Sequence, residues 1–596
     1  MDVVNIGGVF GWYSPGHTRR AVVLCGTFGF EQHAAHRAWR DLSERIAETG
    51  CAVLRFDYPG EGDSEGYSVR IDTALDAIRR AIRFMREDPE IEEIVLVGLR
   101  LGGTLSALIA AETAVDKLVL LAPFAKGRSY LREMEIQGRL VDILPDGSPM
   151  PKRAGVTSVA GFRLEPELIA ELSLIDLRDA GRPTARSILV LGPEHARLAT
   201  QYRAQGIDVE TGDLPNMSTL LMDAMNGQMH EGARAQIISF VSAGAEPLKA
   251  QPIRPKAEKK PIRGPGWTDE PLQFADGLFG VECRPQTEMA GAPVVLFVNF
   301  GVYVHSGYGR QTTTFARSLA RSGIASLRMD LRGAGDSVDR ATGDLPLFQQ
   351  DALADVRAAV DELTRDSARP VIIVGNCSGA YFAFHAICED RRIKAAALVN
   401  LYCFDWELTH GGVPYNEKPI RHHSAYVALL LNVATWRRIL SGTTPVAKIA
   451  VSLAKRGLSR LINKVRCDSN EDGGPATIVS RIAGLRQRGA HVSMLYSVGD
   501  LGLVDLRTQL GSPEQASGLL GGPVHILPDA DHSFSAESAQ NLLMQELMRL
   551  ATVCGANRYT DERFDRPAAS AMVRQPQRTA AAAQSISREQ SSCSST

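Results

Sequence analysis

Short apolar runs alternate along the chain with longer segments in which apolar residues recur every three or four positions. Ten of these runs form two series of five: AVVLC, AVLRF, EIVLV, KLVLL and ILVLG, beginning at residues 21, 52, 93, 117 and 188, and VVLFV, IASLRM, VIIV, AALVN and VSMLY, beginning at residues 294, 324, 371, 396 and 492. Continuously apolar strands separated by helices are typical of βαβ units, in which helices cover both faces of a parallel sheet. The pattern predicts an α/β protein with two mostly parallel sheets flanked by helices.

The two series belong to an internal repeat. LRFDYPGEGDS, which ends at Ser64, corresponds to LRMDLRGAGDS, which ends at Ser337. EIVLVGLRLGG, from Glu93, likewise corresponds to PVIIVGNCSGA, from Pro370, and the paired segments lie roughly 275 residues apart. Two copies at this spacing indicate a duplicated domain, because a solenoid needs more and shorter repeats.

Composition shifts mark the domain boundaries. The segment AEPLKAQPIRPKAEKKPIRGPG is rich in Pro and Lys and has no apolar period, which is typical of a stiff, solvated linker. We therefore predict a first domain at 1–244, a linker at 245–266 and a second domain at 267–555. The low-complexity sequence beyond them predicts a disordered tail at 556–596.

Composition and charge exclude several classes of protein. The 596 residues are 44% apolar and 22% charged, and 66 basic residues against 68 acidic ones give a net charge of −2. A balance of this kind does not attract nucleic acid, so we expect no nucleic-acid partner. Nine cysteines without a CxxC pair indicate neither a disulfide framework nor a zinc site, and we expect no metal or cofactor.

Targeting signals are also missing from the sequence pattern. The chain opens MDVVNIGGVFGWYSPG, which has no basic stretch followed by an apolar core. The apolar stretch Tyr426–Trp436 is about half as long as the ~20 residues that a membrane span needs. We expect a cytoplasmic protein, peripheral to the membrane at most.

The second copy contains a nucleophile elbow, in which two glycines flank a reactive residue between a strand and a helix. The motif is Gly375-Asn376-Cys377-Ser378-Gly379, after the apolar run VIIV. Small neighbours are needed because the backbone bends sharply there. A thiol at a helix N-terminus is readily deprotonated, so Cys377 is the candidate nucleophile. The alternative is a buried structural cysteine, since cysteine packs like a small apolar residue.

The candidate base is His532. In proteins with such an elbow the acid and then the histidine follow the nucleophile along the chain. His385 falls in the helix after the elbow and His525 in the strand VHIL, whereas His532 lies in a loop, LPDADHSFS, after the last strand. The alternative for His532 is an ordinary solvated loop histidine.

Three carboxylates are candidates for the acid that orients the histidine. Asp500 ends the segment MLYSVGD and is the first choice, because it follows the strand before His532. Asp505 is the first alternative. Asp405, after the preceding strand, is the second.

Two backbone N–H groups are predicted to stabilise an oxyanion. One belongs to Ser378, directly after the nucleophile. The other is assigned to Val302 by position, in the loop Asn299-Phe300-Gly301-Val302 after the first core strand of this copy.

The first copy has lost the corresponding chemistry. Arg100 stands at the nucleophile position of its elbow, and a guanidinium cannot be deprotonated to attack a carbonyl. Thr219 aligns with His532, and Glu194 with the acid. We predict a degenerate domain that serves as a structural partner. A second hypothesis is that Arg100, at a helix N-terminus, binds a carboxylate or phosphate.

A helical cap is predicted at about 405–480 in the second copy. From Lys418 to Arg466 the sequence has ten basic side chains and no acidic one, interleaved with apolar residues at helical spacing. Such a surface suits an acidic carrier, a coenzyme-A thioester, an acidic polysaccharide or anionic lipid. The alternative is a cap whose basic face is merely solvated.

The motifs resemble those of α/β-hydrolases of the serine-aminopeptidase-like type. Within this type, the motifs resemble those of the two kinds of hydrolase that accompany the exosortase A system in exopolysaccharide-producing bacteria. The first copy resembles one kind through FGFEQ, LRFDYPGEGDSEG and GRSYLREM, and the second resembles the other through VNFGVYVHSGYGR, LRMDLRGAGDS and GNCSGA. The resemblance implies two tandem α/β-hydrolase domains, the second with a helical cap, and a triad of Cys377, His532 and Asp500.

These observations predict a hydrolase that acts on an ester or thioester through an acyl-cysteine intermediate. An acyltransferase using the same triad is the first alternative, because a thioester intermediate is well suited to transfer. The second alternative is a non-catalytic scaffold or ligand-binding protein in polysaccharide or envelope biosynthesis. The sequence leaves the acyl group, the acceptor and the oligomeric state open.

Overall fold

The computed structural model describes residues 1–141, 157–193, 195–248, 261–406 and 477–555. The described part of the chain forms one compact unit that includes both copies of the repeat.

Several predictions concern residues outside these ranges. They are almost all of the cap at 405–480, the tail at 556–596 and Glu194.

The first sheet has eight strands in the order β1-β2-β4-β3-β5-β6-β9-β10. Their bounds are β1 (Asp2–Asn5), β2 (Phe10–Ser14), β3 (Arg20–Cys25), β4 (Ala52–Phe56), β5 (Glu93–Leu99), β6 (Lys117–Leu121), β9 (Ser187–Leu191) and β10 (Asp208–Gly212). The strands from β4 to β10 in this order pair in parallel, and β1 and β2 add antiparallel at one edge. A separate hairpin, β7 (Thr157–Val159) and β8 (Phe162–Leu164), is inserted between β6 and β9.

The second sheet repeats this topology. Its order is β11-β12-β13-β15-β14-β16-β17-β18-β19, so that one further strand is added at the antiparallel edge. The bounds are β11 (Ile262–Gly264), β12 (Trp267–Phe274), β13 (Leu278–Pro285), β14 (Val294–Phe297), β15 (Ser326–Asp330), β16 (Val371–Asn376), β17 (Ile393–Val399), β18 (His491–Ser497) and β19 (Val524–Leu527). All ten predicted apolar runs form or overlap parallel strands of the two sheets.

Helices cover both sheets. In the first half they are α1 (Gly29–Glu48), α2 (Ile71–Met85), α3 (Leu101–Glu112), α4 (Gly127–Val141), α5 (Pro166–Leu174), α6 (His195–Ala204), α7 (Met217–Met222) and α8 (Glu231–Ser242). In the second half they are α9 (Gln311–Arg321), α10 (Leu353–Thr364), α11 (Ser378–Glu389), α12 (Ile478–Gln487), α13 (Gly502–Leu510), α14 (Pro513–Leu520) and α15 (Glu537–Cys554). None of the described helices combines the length and the apolar character that a membrane span requires.

The cores explain why the strands are continuously apolar. Alternate residues of β3 point to opposite faces, so that Val23 belongs to one buried cluster and Val22 to another. The second sheet is covered on both faces in the same way, with Ile373 in one cluster and Ile372 in the other. This two-sided burial is the predicted parallel-sheet arrangement.

The described ends of the linker, 245–248 and 261–266, differ from their prediction. We expected 245–266 to be solvated, but Ile262–Gly264 forms the edge strand β11 and pairs with β12. At the other end, Arg19 N–H donates to the Glu246 carbonyl and Leu248 N–H to that of His17. The sequence signal failed at both ends because strand pairing at a sheet edge needs few apolar residues.

Two equivalent ion pairs link the two halves. Arg55 of the first LRxDxxGxGDS motif lies 2.5 Å from Asp336 of the second, and Arg328 of the second lies 3.2 Å from Asp63 of the first. Each of the four side chains is at most 3% exposed. The repeated motif therefore forms a pseudo-symmetric contact between the halves.

Candidate active site

Cys377 lies at a sharp turn between β16 and α11. Its backbone has φ 53° and ψ −112°, in the positive-φ region that residues with a side chain rarely adopt. The flanking glycines permit this turn, because a Cβ on Gly375 would lie 2.2 Å from the Gly379 carbonyl carbon and one on Gly379 would lie 2.4 Å from the Asn299 carbonyl oxygen. Strained backbone of this kind holds a nucleophile out of its strand.

His532 and Asp500 lie together at the carboxyl end of the second sheet. His532 Nδ1 is 2.6 Å from Asp500 Oδ2, and Asp500 is buried. Asp500 follows β18 and His532 follows β19, so neighbouring parallel strands bring the two residues to one edge of the sheet. Cys377 follows β16 at the same edge.

The pKa of His532 is raised well above its usual value. Its side chain is 42% exposed, yet the surrounding protein desolvates the imidazole, and this effect alone would lower the pKa. The interaction with Cys377 and the hydrogen bond with Asp500 both favour the imidazolium and outweigh the desolvation. His532 thus interacts with Cys377 on one side and with Asp500 on the other.

The two alternative acids lie elsewhere. Asp505 accepts a hydrogen bond of 2.9 Å from the Phe404 backbone N–H. Asp405 acts electrostatically on Tyr381. Burial and, to a smaller extent, this carboxylate raise the pKa of the Tyr381 phenol well above its usual value. Of the three carboxylates considered, Asp500 is the one against His532.

Two asparagines that the sequence analysis missed hold the histidine loop. Asn400 Nδ2 donates to the His532 carbonyl at 2.9 Å, and Asn376 Nδ2 donates to the same oxygen at 3.2 Å. Asn400 also donates to Ser497 Oγ, which in turn donates to the Asp531 carbonyl. A signal was present, because Asn400 ends the run AALVN at the same sheet edge as the triad residues.

The loop after β14 approaches the elbow, as the oxyanion prediction requires. Gly301 N–H donates to Ser378 Oγ at 3.0 Å, so the two predicted donor segments are in direct contact. The backbone N–H groups of Ser378 and Val302 have no acceptor among the described residues.

The other histidines near the elbow are occupied. His385 Nε2 lies 3.0 Å from the Phe404 carbonyl, and burial together with Arg481 lowers its pKa to about 4. His525 Nε2 lies 3.2 Å from Glu546. Neither histidine contacts Cys377 in the described structure.

Arg100 has the same backbone conformation as Cys377, with φ 53° and ψ −113°. Its buried guanidinium lies 3.0 Å from Glu31 and 2.9 Å from Glu133. Glu31 also accepts hydrogen bonds from the hydroxyls of Thr27 and Tyr130. An anion at Arg100 would have to displace one of these carboxylates, so the structure lends the anion-site hypothesis no support.

The position of the first half that corresponds to His532 does not hold a histidine. Thr219, which aligns with His532, is exposed on α7. The first half retains the elbow and its strain but has neither a thiol nor an imidazole at the corresponding positions.

One cluster in the described residues has the spacing of metal ligands: His305, Asp330 and Asp336. Its histidine is already engaged, since Nδ1 lies 2.8 Å from Asp330 and Nε2 lies 2.5 Å from Asp63. Burial opposes its protonation, but the two carboxylates raise the pKa of His305 well above its usual value. An imidazolium has no lone pair for a metal.

Two segments of the chain, 16–153 and 294–418, match the family model described as Serine aminopeptidase, S33. One segment falls in each half, and each half has the sheet order described above. No curated protein is similar enough in sequence to count as a match.

Solved structures resemble parts of the chain at low identity. Est1E from Butyrivibrio proteoclasticus, with ferulic acid bound, is 15% identical over 41% of this chain and 96% of its own, with a TM-score of 0.30. A putative dienelactone hydrolase from Klebsiella pneumoniae is 16% identical over 48% and 99%, with a TM-score of 0.30. A proline iminopeptidase-related protein from Thermus thermophilus is 17% identical over 48% and 99%, with a TM-score of 0.29. Likenesses this weak carry no information about substrate.

Proposed function

Since this protein is a tandem α/β hydrolase related in both halves to the S33 serine aminopeptidase family, we propose that its second half hydrolyses an ester or thioester with Cys377 as nucleophile. His532 is the proposed general acid and base, and Asp500 orients it. The first half is proposed to be non-catalytic, because Arg100 replaces the nucleophile.

Acylation begins when the Cys377 thiolate attacks the carbonyl carbon of the substrate. A C–S bond forms and the carbonyl oxygen becomes an oxyanion, which the N–H groups of Ser378 and Val302 stabilise. The oxyanion then collapses and the bond to the leaving oxygen or sulfur breaks. His532, already protonated, gives its proton to the leaving group.

Deacylation runs the same steps in reverse with water. Neutral His532 takes a proton from water, and the hydroxide adds to the acyl-cysteine carbonyl. The C–S bond breaks, the carboxylic acid leaves and Cys377 is regenerated as a thiolate. An alcohol or amine that replaces water in this step would make the reaction an acyl transfer.

The observation that carries the proposal is the combination of a strained elbow at Cys377 with a His532–Asp500 pair at 2.6 Å. A non-catalytic scaffold has no need to hold a partly exposed thiol at φ 53° beside an imidazolium. Cys377 and Asp500 are the groups that raise the pKa of His532, so both proposed partners act on its imidazole.

The basic sequence from 418 to 466 supports a substrate with an acidic carrier or a lipid-linked acyl group. A region with ten basic and no acidic side chains attracts anionic groups. We therefore place carrier-bound thioesters and anionic lipid esters first among substrates to be tried. This preference rests on sequence alone.

The test is turnover of short acyl thioesters and p-nitrophenyl esters. Cys377→Ala, His532→Ala and Asp500→Asn should each lose activity, by about 10³-fold or more for the first two. Cys388→Ala is the matched control, because Cys388 lies in the helix that follows Cys377 and burial raises its thiol pKa. Full activity of Cys377→Ala with every donor would overturn the proposal.

Product analysis separates hydrolysis from transfer. In the presence of an added alcohol or amine, a hydrolase releases mainly the free acid. An acyltransferase releases mainly the new ester or amide, at a rate that depends on acceptor concentration.

A further inference from the structure

The loop that carries the proposed oxyanion donor Val302 is attached to the first half as well as to its own. His305, in the loop between β14 and α9, lies 2.5 Å from Asp63 of the first half. The same imidazole lies 2.8 Å from Asp330 at the end of β15. All three side chains are buried, so His305 joins a carboxylate of each half through one ring.

Aromatic contacts add to this attachment. The ring of Tyr303, next to Val302, lies 3.9 Å from the ring of His33 on α1, centroid to centroid. Burial and the neighbouring His36 lower the pKa of His33 to about 3, so this ring is neutral at physiological pH. The contact therefore places an uncharged ring of the first half against the oxyanion loop.

The β7–β8 hairpin of the first half reaches the same loop. The hydroxyl of Tyr308, in a short 3₁₀ helix at the end of the loop, donates to the Ala160 carbonyl at the hairpin turn. The Phe162 ring also lies 4.8 Å from the Tyr308 ring. The hairpin occupies the position between β6 and β9, which corresponds to the predicted cap position of the second half.

The hairpin also touches the histidine loop. Gly161, with φ 78°, is so close to Ser535 that a Cβ on the glycine would lie 2.4 Å from the serine Cβ. Arg163 pairs with Glu537 at 3.3 Å. One turn of the first half thus lies against both loops that complete the proposed active site.

The oxyanion loop borders a pocket beside the elbow. Asn376 at the elbow and Val304 and Tyr308 in the loop line this pocket, whose volume is about 50 Å³. Within the active site, the Phe300 ring lies 5.6 Å from the His532 ring. A displacement of this loop would therefore alter both the oxyanion donor and the surroundings of the base.

We infer that the first half positions the active-site loops of the second half, through Asp63 at His305 and through the tip of the β7–β8 hairpin at Tyr308 and Ser535. This inference rests on the proposed function of Cys377. The degenerate half would then contribute to acylation although it has no catalytic residue. Asp63 and the hairpin residues are positioning residues, since they act through the loops and not on the substrate.

Positioning of this kind matters because an oxyanion donor must lie about 2.7–3.1 Å from the developing charge. A misplacement of about 1 Å can lower the rate about 100-fold. Alkylation of a thiolate by iodoacetamide forms no oxyanion, so it does not need Val302. The two reactions at Cys377 therefore distinguish a displaced oxyanion loop from a damaged thiolate.

The test compares Tyr308→Phe with wild type in the full-length protein. Loss of the hydroxyl that binds Ala160 should slow acylation of Cys377 about 10-fold, with the ester or thioester that acylates wild type fastest. Alkylation by iodoacetamide should stay within about twofold of wild type. Gly161→Ala should slow both reactions, because its Cβ pushes against the histidine loop.

Arg40→Ala is the matched control. Arg40 also crosses between the halves, but its partners there, the carbonyls of Gly335 and Ser337 and the Asp339 carboxylate, belong to neither loop. We expect lower thermal stability and unchanged acylation for this variant. Equal slowing in Arg40→Ala and Tyr308→Phe would overturn the inference, because the effect would then come from a weakened interface in general.

The outcomes also distinguish failure of this inference from failure of the proposed function. Wild-type acylation at Cys377, with Tyr308→Phe and Gly161→Ala both at the wild-type rate, would overturn the inference alone. No acylation of wild type at Cys377 would overturn the proposed function and the inference with it.

Discussion

Cys377 and Arg100 occupy the same backbone conformation at corresponding turns of the two halves, yet their side chains have opposite chemistry. At Cys377 the strain exposes a thiol beside an imidazole. At Arg100 it directs a guanidinium towards Glu31 and Glu133. One backbone geometry thus serves a proposed nucleophile in one half and a buried ion pair in the other.

The pH dependence of acylation should follow the protonation of His532. Cys377 and Asp500 raise the pKa of His532, so the imidazolium persists above pH ~6.5. The imidazolium donates the proton to the leaving group, and this donor is lost as the pH rises through the raised pKa. The alkaline limb of the acylation rate should therefore lie well above pH ~6.5. Asp500→Asn removes one cause of the shift, so its limb should move to lower pH. A limb that stays in place would show that Asp500 does not support the imidazolium.

Arg100→Ala should destabilise the first half by about 3 kcal/mol, because it leaves the Glu31 carboxylate buried without its cation. Adding Glu31→Gln should recover part of this loss. Arg178→Ala, which removes an exposed partner of Asp176, is the control and should lower the stability far less. Chemical denaturation measures all three, and a loss at Arg100 no larger than at Arg178 would contradict the account.

At the scale of elements, the elbow depends on the close approach of α11 to the strand beside it. Gly379→Ala should lower stability by about 1–3 kcal/mol and slow acylation, because the new Cβ meets the carbonyls of Val298 and Asn299. Gly484→Ala in α12 is the matched control: no atom lies within 4 Å of its Cβ, so the helix should be stabilised slightly. Equal stability of the two variants, measured by thermal unfolding, would contradict this packing.

The elements also show what the sequence could predict. Ten of the twelve parallel strands were recognisable because burial on both faces makes them continuously apolar, and chain order then placed Cys377, Asp500 and His532 at one edge. The antiparallel strands β11 to β13 and the β7–β8 hairpin were missed, since partly exposed strands such as Trp267–Phe274 mix polar and apolar residues. Whether Asp500, Asp505 or Asp405 faces His532 depends on loop geometry, which no local pattern encodes.

At the scale of the whole molecule, charged groups of the repeated motif join the halves. Desolvation opposes ionisation of Asp336, but Arg55 and His36 of the first half hold its pKa well below the usual range. Arg328 and His305 of the second half lower the pKa of Asp63 in the same way. No pattern within one copy indicates these contacts, because each partner lies in the other copy.

The interface should respond to acid in a defined direction. A carboxylate with a lowered folded pKa stabilises the protein fully above pH ~4, and this contribution is lost as the pH falls through the folded value. Asp336→Asn should be less stable at neutral pH and should lose less stability between pH ~4 and ~2 than wild type. Urea midpoints across this range measure the effect, with Asp208→Asn, an exposed carboxylate, as the control. Parallel pH curves for Asp336→Asn and wild type would contradict the assignment.

The proposed mechanism requires Cys377 to carry the acyl group, and the intact mass of acid-quenched protein tests this requirement. After brief exposure to a short acyl thioester or p-nitrophenyl ester, wild type should gain the mass of one acyl group, located on Cys377 by peptide mapping. Cys377→Ala should gain none, and His532→Ala should gain it far more slowly. An adduct on another residue, or equal labelling of wild type and Cys377→Ala, would contradict the account.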